Sequence, residues 1–317
     1  MHNQTLLITG ASGFLGTWLA DAAYTAGYRI IGIDLRAPSK PQIWAGFATS
    51  SCDTTDLVSL LQGESLYAVC HLAGGASVAG SFADPYGDFA SLVPGTSRLG
   101  VYLAKAQPQA RLYFFSSAAV YGNPLTLPIT ERTRVLPISP YGVHKATTES
   151  LMFHYARVLK LKFTTFRIFS VFGPGLKKQI VWDVGQHALT AISEGKTSIT
   201  LFGTGEESRD FIYVKDLCKA VLTVLAHTSS HAIEIYNLAS GIESRISEVA
   251  KCLIQKLELP LGISFNGEVR KGDPLNWRAD ISKLQALGFK ADYNLEAGLA
   301  EIAAWMSKPA PAATIPA

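Results

Sequence analysis

The sequence "TGASGFLG" at residues 9–16 lies between the apolar run "LLI" and the helix-like segment "TWLADAAYTAG". It places glycine at positions 10, 13 and 16. Glycine accepts positive φ and allows close approach of another backbone or a ligand, at a cost of about 0.5–1 kcal/mol within a helix. Between a strand and a helix, such a loop directs backbone amides and the helix dipole at an anion, which suits a dinucleotide pyrophosphate. Alone, the pattern equally fits a tight strand-to-helix turn.

The next apolar run, "YRIIGIDLR", favours the first interpretation. It ends in Asp34, about 20 residues beyond the loop, where a carboxylate meets the adenosine ribose hydroxyls of a dinucleotide. A carboxylate also repels a 2′-phosphate, so Asp34 favours NAD over NADP. Arg36, two positions later, is the residue that would serve NADP instead. The alternative for Asp34 is a turn residue at the end of a strand.

Composition indicates an ordinary cytoplasmic enzyme, with 317 residues, 48% hydrophobic and 17% charged residues and a net charge of +3. This small charge excess does not indicate a nucleic-acid partner. Lys177 and Lys178 are predicted to lie on the solvated surface, with contact to a phosphate as the alternative. Four widely spaced cysteines predict reduced thiols and no metal site. The N-terminus enters a strand without a signal-like segment, and no apolar stretch approaches the ~18–20 residues of a membrane span.

Short apolar runs alternate with helical patterns at 5–9, 28–34, 67–72, 111–116 and 162–169. This alternation is typical of right-handed βαβ units, so the fold class is α/β, a Rossmann-type doubly wound parallel sheet. After "FGPG" at 172–175 the rhythm loosens. We therefore predict an NAD(P)-binding domain at 1–170 and a smaller α/β substrate-binding domain, which binds the nucleotide sugar, mainly at 171–307. This division leaves room for a segment after residue 171 to return to the first domain. The segment 308–317 is predicted to be a disordered tail.

Two segments carry candidate chemistry, "FFSSAAVYG" (114–122) and "SPYGVHK" (139–145). Tyr141 and Lys145 are four residues apart and share one helix face. An ammonium group near a phenol favours the phenolate, and the positive nicotinamide ring of an oxidised cofactor favours it as well. Such a tyrosine could exchange a proton with a sugar hydroxyl. Ser117, at a strand end, supplies a hydroxyl to align the reacting oxygen. Taken singly, these residues also fit a helix-surface pair and a strand-end serine.

With the glycine loop, Asp34, Ser117, Tyr141 and Lys145 in this order, the sequence resembles the extended short-chain dehydrogenase/reductase family, in its nucleotide-sugar epimerase/dehydratase branch (UDP-glucose 4-epimerase-like). The resemblance covers nearly the whole chain, through "HLAGGAS", "SSAAVYG", "RIFSVFGPG" and "LFGTGEESRDFIYVKDL". It implies bound NAD(P), a nucleoside-diphosphate sugar substrate and transient oxidation of the sugar at C4. It also implies a homodimer that packs helices near 86–106 and 141–159.

The resemblance assigns roles by position. Ser117 and Tyr141 would bind and deprotonate the 4-hydroxyl, and Lys145 would hold the nicotinamide ribose. The predicted cofactor-binding residues are Gly10, Gly13, Phe14, Leu15, Gly16, Asp34, Asp53, Thr54, Leu72, Ala73, Gly74, Ser116, Tyr141 and Lys145. The predicted substrate-binding residues are Ser117, Ser170, Arg209, Arg270 and Asp273, of which the two arginines would clamp the pyrophosphate. His71 is predicted to be a packing residue.

Departures from the family pattern separate the candidate reactions. Ser170 stands where relatives commonly carry asparagine, which changes one substrate contact, and Pro94 is expected to kink its helix. Ala118 and Ala119 replace the acidic residues of dehydratases and decarboxylases and the cysteine of the fucose-synthase type. Elimination, decarboxylation and C3/C5 epimerisation are therefore disfavoured. A 4-epimerase is the first hypothesis, a 4-keto-sugar reductase the second, and a non-catalytic nucleotide-binding member of the fold the third.

Overall fold

The computed structural model describes residues 4–75, 77–227, 229–268, 272 and 274–308. The predicted substrate residues Arg270 and Asp273 lie outside the described residues. The strands are β1 (Thr5–Thr9), β2 (Arg29–Asp34), β3 (Trp44–Thr49), β4 (Leu66–His71), β5 (Arg111–Ser117), β6 (Lys162–Ile168), β7 (Ser170–Phe172), β8 (Ser198–Leu201), β9 (Ser208–Tyr213), β10 (Ile233–Leu238), β11 (Glu243–Arg245) and β12 (Gly262–Phe265). The helices are α1 (Phe14–Thr25), α2 (Leu57–Leu61), α3 (Val78–Ala83), α4 (Pro85–Ala106), α5 (Pro140–Val158), α6 (Gln179–Ser193), α7 (Val214–Ala226), α8 (Ile246–Lys256), α9 (Ser282–Gln285) and α10 (Leu295–Met306).

The central sheet has seven strands in the order β10-β6-β5-β4-β1-β2-β3, and each neighbouring pair is parallel. This confirms the predicted doubly wound α/β fold. The strand order reverses beside β1, which lies between β2 and β4. In such sheets, a crevice forms at this switch point, outside the carboxyl ends of the strands.

Helices cover both faces of the sheet, which explains why its strands are continuous apolar runs. Alternate residues of β1 enter two different cores. Leu6 and Ile8 pack in the cluster that contains Leu217 of α7, whereas Leu7 packs in the cluster that contains Met152 of α5. The period of two along a strand thus distributes one apolar run between both layers.

The last strand of the central sheet comes from late in the chain. After β6, the chain forms β7, α6, β8, β9 and α7, and then returns as β10, which pairs in parallel with β6. Helix α7 packs against α1 on the way. The sheet that carries the glycine loop therefore includes residues from beyond position 230.

The remaining strands form a smaller lobe above the carboxyl edge of the sheet. It contains a three-stranded sheet ordered β11-β9-β7 and the pair β12-β8, with α6, α8 and α10 packed together. Strand β7 begins only two residues after the end of β6. The lobe is therefore joined directly to the edge where the switch-point crevice opens.

Several sequence expectations concern single features. Helix α4 continues through Pro94, so the proline does not end it. All four cysteines are free thiols. Across the described ranges, no group of three or more His, Cys, Asp or Glu residues could hold a metal ion. A search of the same ranges found no helix with the length and hydropathy that a membrane span requires.

Candidate active site

The glycine loop follows β1 at the switch point. Gly10 has φ of +68°, and a Cβ there would lie 2.8 Å from the Ala73 nitrogen. A Cβ at Gly16 would collide with the carbonyl oxygen of Gly10, whereas one at Gly13 would meet that oxygen at 3.1 Å. The chain's own packing therefore requires glycine at positions 10 and 16. Gly13 borders the open side of the loop, where a ligand can approach.

Helix α1 begins directly after this loop. Its N-cap residue, Gly13, offers no side chain to the helix, and the first turn contains no acidic residue. The first backbone N–H groups of a helix lack intrahelical partners, and they carry the positive end of the helix dipole. The loop is therefore suited to an anion such as a dinucleotide pyrophosphate.

Asp34 lies at the end of β2, beside the glycine loop. Its Oδ2 accepts a hydrogen bond of 3.0 Å from the Ser12 nitrogen, and its Oδ1 accepts one of 3.0 Å from the Arg36 nitrogen. The exposed Arg36 side chain turns back and donates to the Ser12 carbonyl at 3.1 Å. The carboxylate is thus fixed at the crevice, where ribose hydroxyls can reach it. Asp53 and Thr54 are exposed beyond β3, and their adenine contacts stay predictions.

Ser117, Tyr141 and Lys145 come together at the carboxyl end of β5. The Ser117 hydroxyl accepts a 3.2 Å hydrogen bond from the Ala119 nitrogen and is near enough to the Tyr141 phenol to lower its pKa. The Lys145 ammonium donates to the Phe115 carbonyl at 2.8 Å and lies 5.7 Å from the centre of the Tyr141 ring. Because Pro140 begins α5, Tyr141 and Lys145 stand one helical turn apart on its buried face.

Burial governs the ionisation of this pair. It raises the pKa of Tyr141 to about 12, against the lowering effect of the Ser117 hydrogen bond, and the Asp88 charge raises it further. Burial also lowers the pKa of Lys145 to about 8, although Asp88 and Glu149 oppose this. Lys145 is not among the groups that lower the pKa of Tyr141, so desolvation prevails in the protein alone. The expectation that Lys145 and a positive nicotinamide ring together favour the phenolate stays a prediction.

Two further charged residues act on the pair, and one of them, Asp88, was not identified from the sequence. Asp88 lies in the first turn of α4, and its carboxylate acts on both Tyr141 and Lys145. Lys178 immediately precedes α6. It remains accessible to solvent, but burial lowers its pKa and its charge lowers that of Lys145. Lys178 is exposed, as the prediction of a solvated lysine requires, and its charge also acts on Lys145.

Two polar residues of the sheet face away from the crevice. Ser116 is buried, and its hydroxyl donates to Glu149 at 2.5 Å, so only its backbone could contact a cofactor. Both ring nitrogens of His71 are bonded to hydroxyls, at 2.6 Å to Thr9 and 2.8 Å to Thr96. Burial lowers the pKa of His71 to about 3. His71 is therefore a packed neutral residue, as its position in the sequence indicates.

The smaller lobe contains two of the predicted substrate-binding residues. Ser170 begins β7, and Arg209 on β9 donates to the carbonyls of Ser208 and Leu275 at 2.9 and 3.2 Å. Gly272 belongs to the loop predicted to bind substrate, and a Cβ there would lie 2.6 Å from the Phe82 ring and 3.4 Å from the Cβ of Ser139. Gly272 therefore lies near the N-terminus of α5, the helix that carries Tyr141. The substrate contacts themselves stay predictions.

A tyrosine and a lysine that face a strand-end serine, across the crevice of a dinucleotide-binding sheet, define a short-chain dehydrogenase/reductase of the extended type. The chain belongs to the NAD dependent epimerase/dehydratase family, whose sequence model matches residues 6–239. The protein is thus an NAD-dependent enzyme of this type, and the resemblance and cofactor inferred from the sequence are confirmed.

Individual relatives match over nearly the full chain. The chain is 30% identical to UDP-glucuronate 4-epimerase 5 of Arabidopsis thaliana, over 95% of this chain and 75% of that protein. The solved UDP-N-acetylglucosamine 4-epimerase of Methanobrevibacter ruminantium, in complex with UDP-N-acetylmuramic acid, is 28% identical with a TM-score of 0.82, over 96% and 98% of the two chains. MoeE5 in complex with UDP-glucuronic acid and NAD is 26% identical with a TM-score of 0.85, over 95% and 98%.

Proposed function

We propose that the protein interconverts UDP-sugars that differ in configuration at C4. The observation that carries this proposal is the convergence of Ser117, Tyr141 and Lys145 at the carboxyl end of β5, where the Lys145 ammonium lies 5.7 Å from the centre of the Tyr141 ring and Ser117 lowers the pKa of the phenol. The two residues after Ser117 are buried alanines, 0% and 7% exposed. A methyl group cannot exchange a proton, so these positions lack the acid or base that elimination requires. A single phenol suffices when the same hydroxyl is deprotonated and reprotonated.

Each residue of the site has a separate role in cofactor binding or proton transfer. The glycine loop and the start of α1 would hold the pyrophosphate of NAD, and Asp34 would hold its ribose. When bound, NAD supplies the hydride acceptor for C4 and a positive charge next to Tyr141. Tyr141 takes the proton of the 4-hydroxyl and later returns it, while Ser117 aligns that hydroxyl. The Lys145 ammonium holds the nicotinamide ribose.

The enclosed position of the phenol supports this division. Because the pKa of Tyr141 is raised to about 12 in the protein alone, the phenol holds its proton until a positive charge arrives. Proton transfer is then coupled to the presence of the oxidised cofactor. An epimerase regenerates its cofactor in every cycle, and the Asp34 carboxylate favours NAD, the usual cofactor of such recycling enzymes, over the NADPH of many biosynthetic reductases.

The test is an assay of the purified protein with NAD and a panel of UDP-sugars: UDP-glucose, UDP-N-acetylglucosamine and UDP-glucuronic acid. We expect at least one of them to be converted to its 4-epimer without added reductant and with no net change in reduced-nicotinamide absorbance. Stoichiometric consumption of NADH or NADPH with a UDP-4-keto-sugar, and no interconversion of epimers, would establish the reductase instead. Binding without turnover of any sugar would establish the non-catalytic alternative.

Asp34→Ala tests the cofactor site separately. We expect it to weaken NAD binding by at least about tenfold, because a charged acceptor of ribose hydrogen bonds is lost. The preference for NAD over NADP should also narrow, since repulsion of a 2′-phosphate disappears. Dissociation constants for both cofactors measure this, with Asp292→Ala as a control at an exposed ion pair. An unchanged preference would show that Asp34 does not face the ribose.

A further inference from the structure

Asp88 is fixed by three parts of the chain next to the reactive pair. Its side chain is 7% exposed, and its Oδ2 lies 2.6 Å from Nδ1 of His144, whose side chain is 14% exposed. The Phe89 ring packs edge-on against the His144 ring, with 5.7 Å between their centres. The other carboxylate oxygen lies so close to Gly75, after β4, that a Cβ there would collide with it. Asp88 therefore has little freedom to turn toward solvent.

The position of His144 connects this carboxylate to the reaction. His144 immediately precedes Lys145 on α5, so the contact that holds Asp88 also ties the first turn of α4 to the helix that carries Tyr141 and Lys145. The Asp88 charge raises the pKa of both residues. Glu149, farther along α5, raises the pKa of Lys145 but is not among the groups that change the pKa of Tyr141.

The other charged groups around the pair are distinguishable from Asp88. Lys178, which precedes α6, opposes Asp88 by lowering the pKa of Lys145. His71 on β4 also faces Lys145, but its pKa of about 3 keeps it neutral in the working range. Asp88 is therefore the carboxylate whose removal should alter Tyr141 and Lys145 together.

We propose that Asp88, held by His144, is a positioning residue that moves the pH range in which Tyr141 exchanges its proton to higher pH. This inference rests on the proposed function. A negative charge opposes the loss of a proton from a phenol and from an ammonium group alike. The active form needs a phenol able to lose its proton and a lysine that retains its own, so both limbs of a bell-shaped pH profile depend on Asp88.

The experiment measures kcat and kcat/KM of the NAD-loaded enzyme against pH for Asp88→Asn. We expect both limbs to move to lower pH, by at least about half a pH unit at the separations of neighbouring side chains. Asp88→Glu keeps the charge, so its limbs should stay near those of the wild type. The matched control is Asp84→Asn, which removes an exposed charge four residues earlier and preserves an N-cap for α4.

His144→Ala tests the contact that holds Asp88. Both limbs of the pH profile of this variant should move to lower pH, as in Asp88→Asn. The movement should be smaller, because the Asp88 carboxylate remains and only gains freedom to turn away from the pair. Movement to higher pH would instead show that the imidazole compensates the charge, and it would overturn the holding role of His144. An ultraviolet titration of the phenol in NAD-loaded protein, taken as the difference from Tyr141→Phe, should shift in the same direction without any turnover.

The outcomes separate this inference from the function on which it rests. If the wild type converts no UDP-sugar to its 4-epimer, the proposed function fails. If the wild type is active and Asp88→Asn lowers kcat without moving either limb, Asp88 is a structural residue and the inference is wrong. Should Asp88→Asn fail to fold, Asp88→Ser removes the same charge with a smaller side chain, and the same shift is expected.

Discussion

Tyr141→Phe should lower kcat for epimerisation by about 10²–10⁴-fold, the usual contribution of a positioned acid–base group. The substitution removes only the phenolic oxygen. The ring keeps its place at the start of α5, where the Tyr141 nitrogen donates to the Ser81 hydroxyl at 3.0 Å. Cofactor binding and folding should therefore be preserved, and the loss should appear in kcat. Initial rates, an NAD titration and thermal unfolding measure the three quantities.

Tyr155→Phe is the matched control on the same helix. Its hydroxyl is hydrogen-bonded to Ser97 at 2.9 Å, so its removal costs about 0.5–1.5 kcal/mol of stability and should leave turnover near that of the wild type. Near wild-type turnover in Tyr141→Phe would end the proposed acid–base role. Loss of NAD binding in that variant would instead identify Tyr141 as a cofactor contact alone.

Glu149→Gln should lower the free energy of unfolding by about 3–5 kcal/mol, because it breaks a buried ion pair and leaves Arg167 uncompensated. The two side chains are 3% and 4% exposed. The carboxylate accepts from Nη2 of Arg167 at 2.7 Å, from Nε at 3.2 Å and from the Ser116 hydroxyl at 2.5 Å. Arg167 also donates to the Tyr121 phenol at 3.1 Å, so the loss would spread through a polar network in the core.

Glu194→Gln provides the comparison for this stability change. Glu194 pairs with Lys196 at 2.6 Å, but the side chains are 49% and 64% exposed. Exposed pairs contribute about 0–1 kcal/mol. Urea unfolding of both variants gives the two free energies. A loss below about 1 kcal/mol for Glu149→Gln would show that the interior of the sheet readjusts around Arg167.

The parts of this molecule that were predicted correctly depend on short-range patterns. The glycine loop and Asp34 follow apolar runs of strand length, and Tyr141 and Lys145 share a face because a helix repeats every 3.6 residues. Asp88 could not be found in this way. It is separated from His144 by 56 positions, and its role depends on how α4 packs against α5. The acidity of the phenol likewise follows from burial, which residue spacing does not contain.

Other sequence inferences stay predictions. The roles of Ser170, Arg209, Arg270 and Asp273 require a bound substrate to be tested. The homodimer also stays a prediction. Phe89 and Val143, on the two helices expected to pair, are 37% and 44% exposed, which is compatible with a contact between two copies.

The return of the chain as β10 has a consequence for how this protein can change over evolutionary time. The central sheet and the smaller lobe are interleaved along the polypeptide, so neither is encoded as one continuous block. A single recombination between two related genes, anywhere from β7 to α7, would exchange parts of both lobes. It would join β6 of one parent to β10 of the other, along a register of six residue pairs from Phe163–Ile233 to Ile168–Leu238. A single crossover therefore cannot exchange the smaller lobe without also replacing β10 of the central sheet.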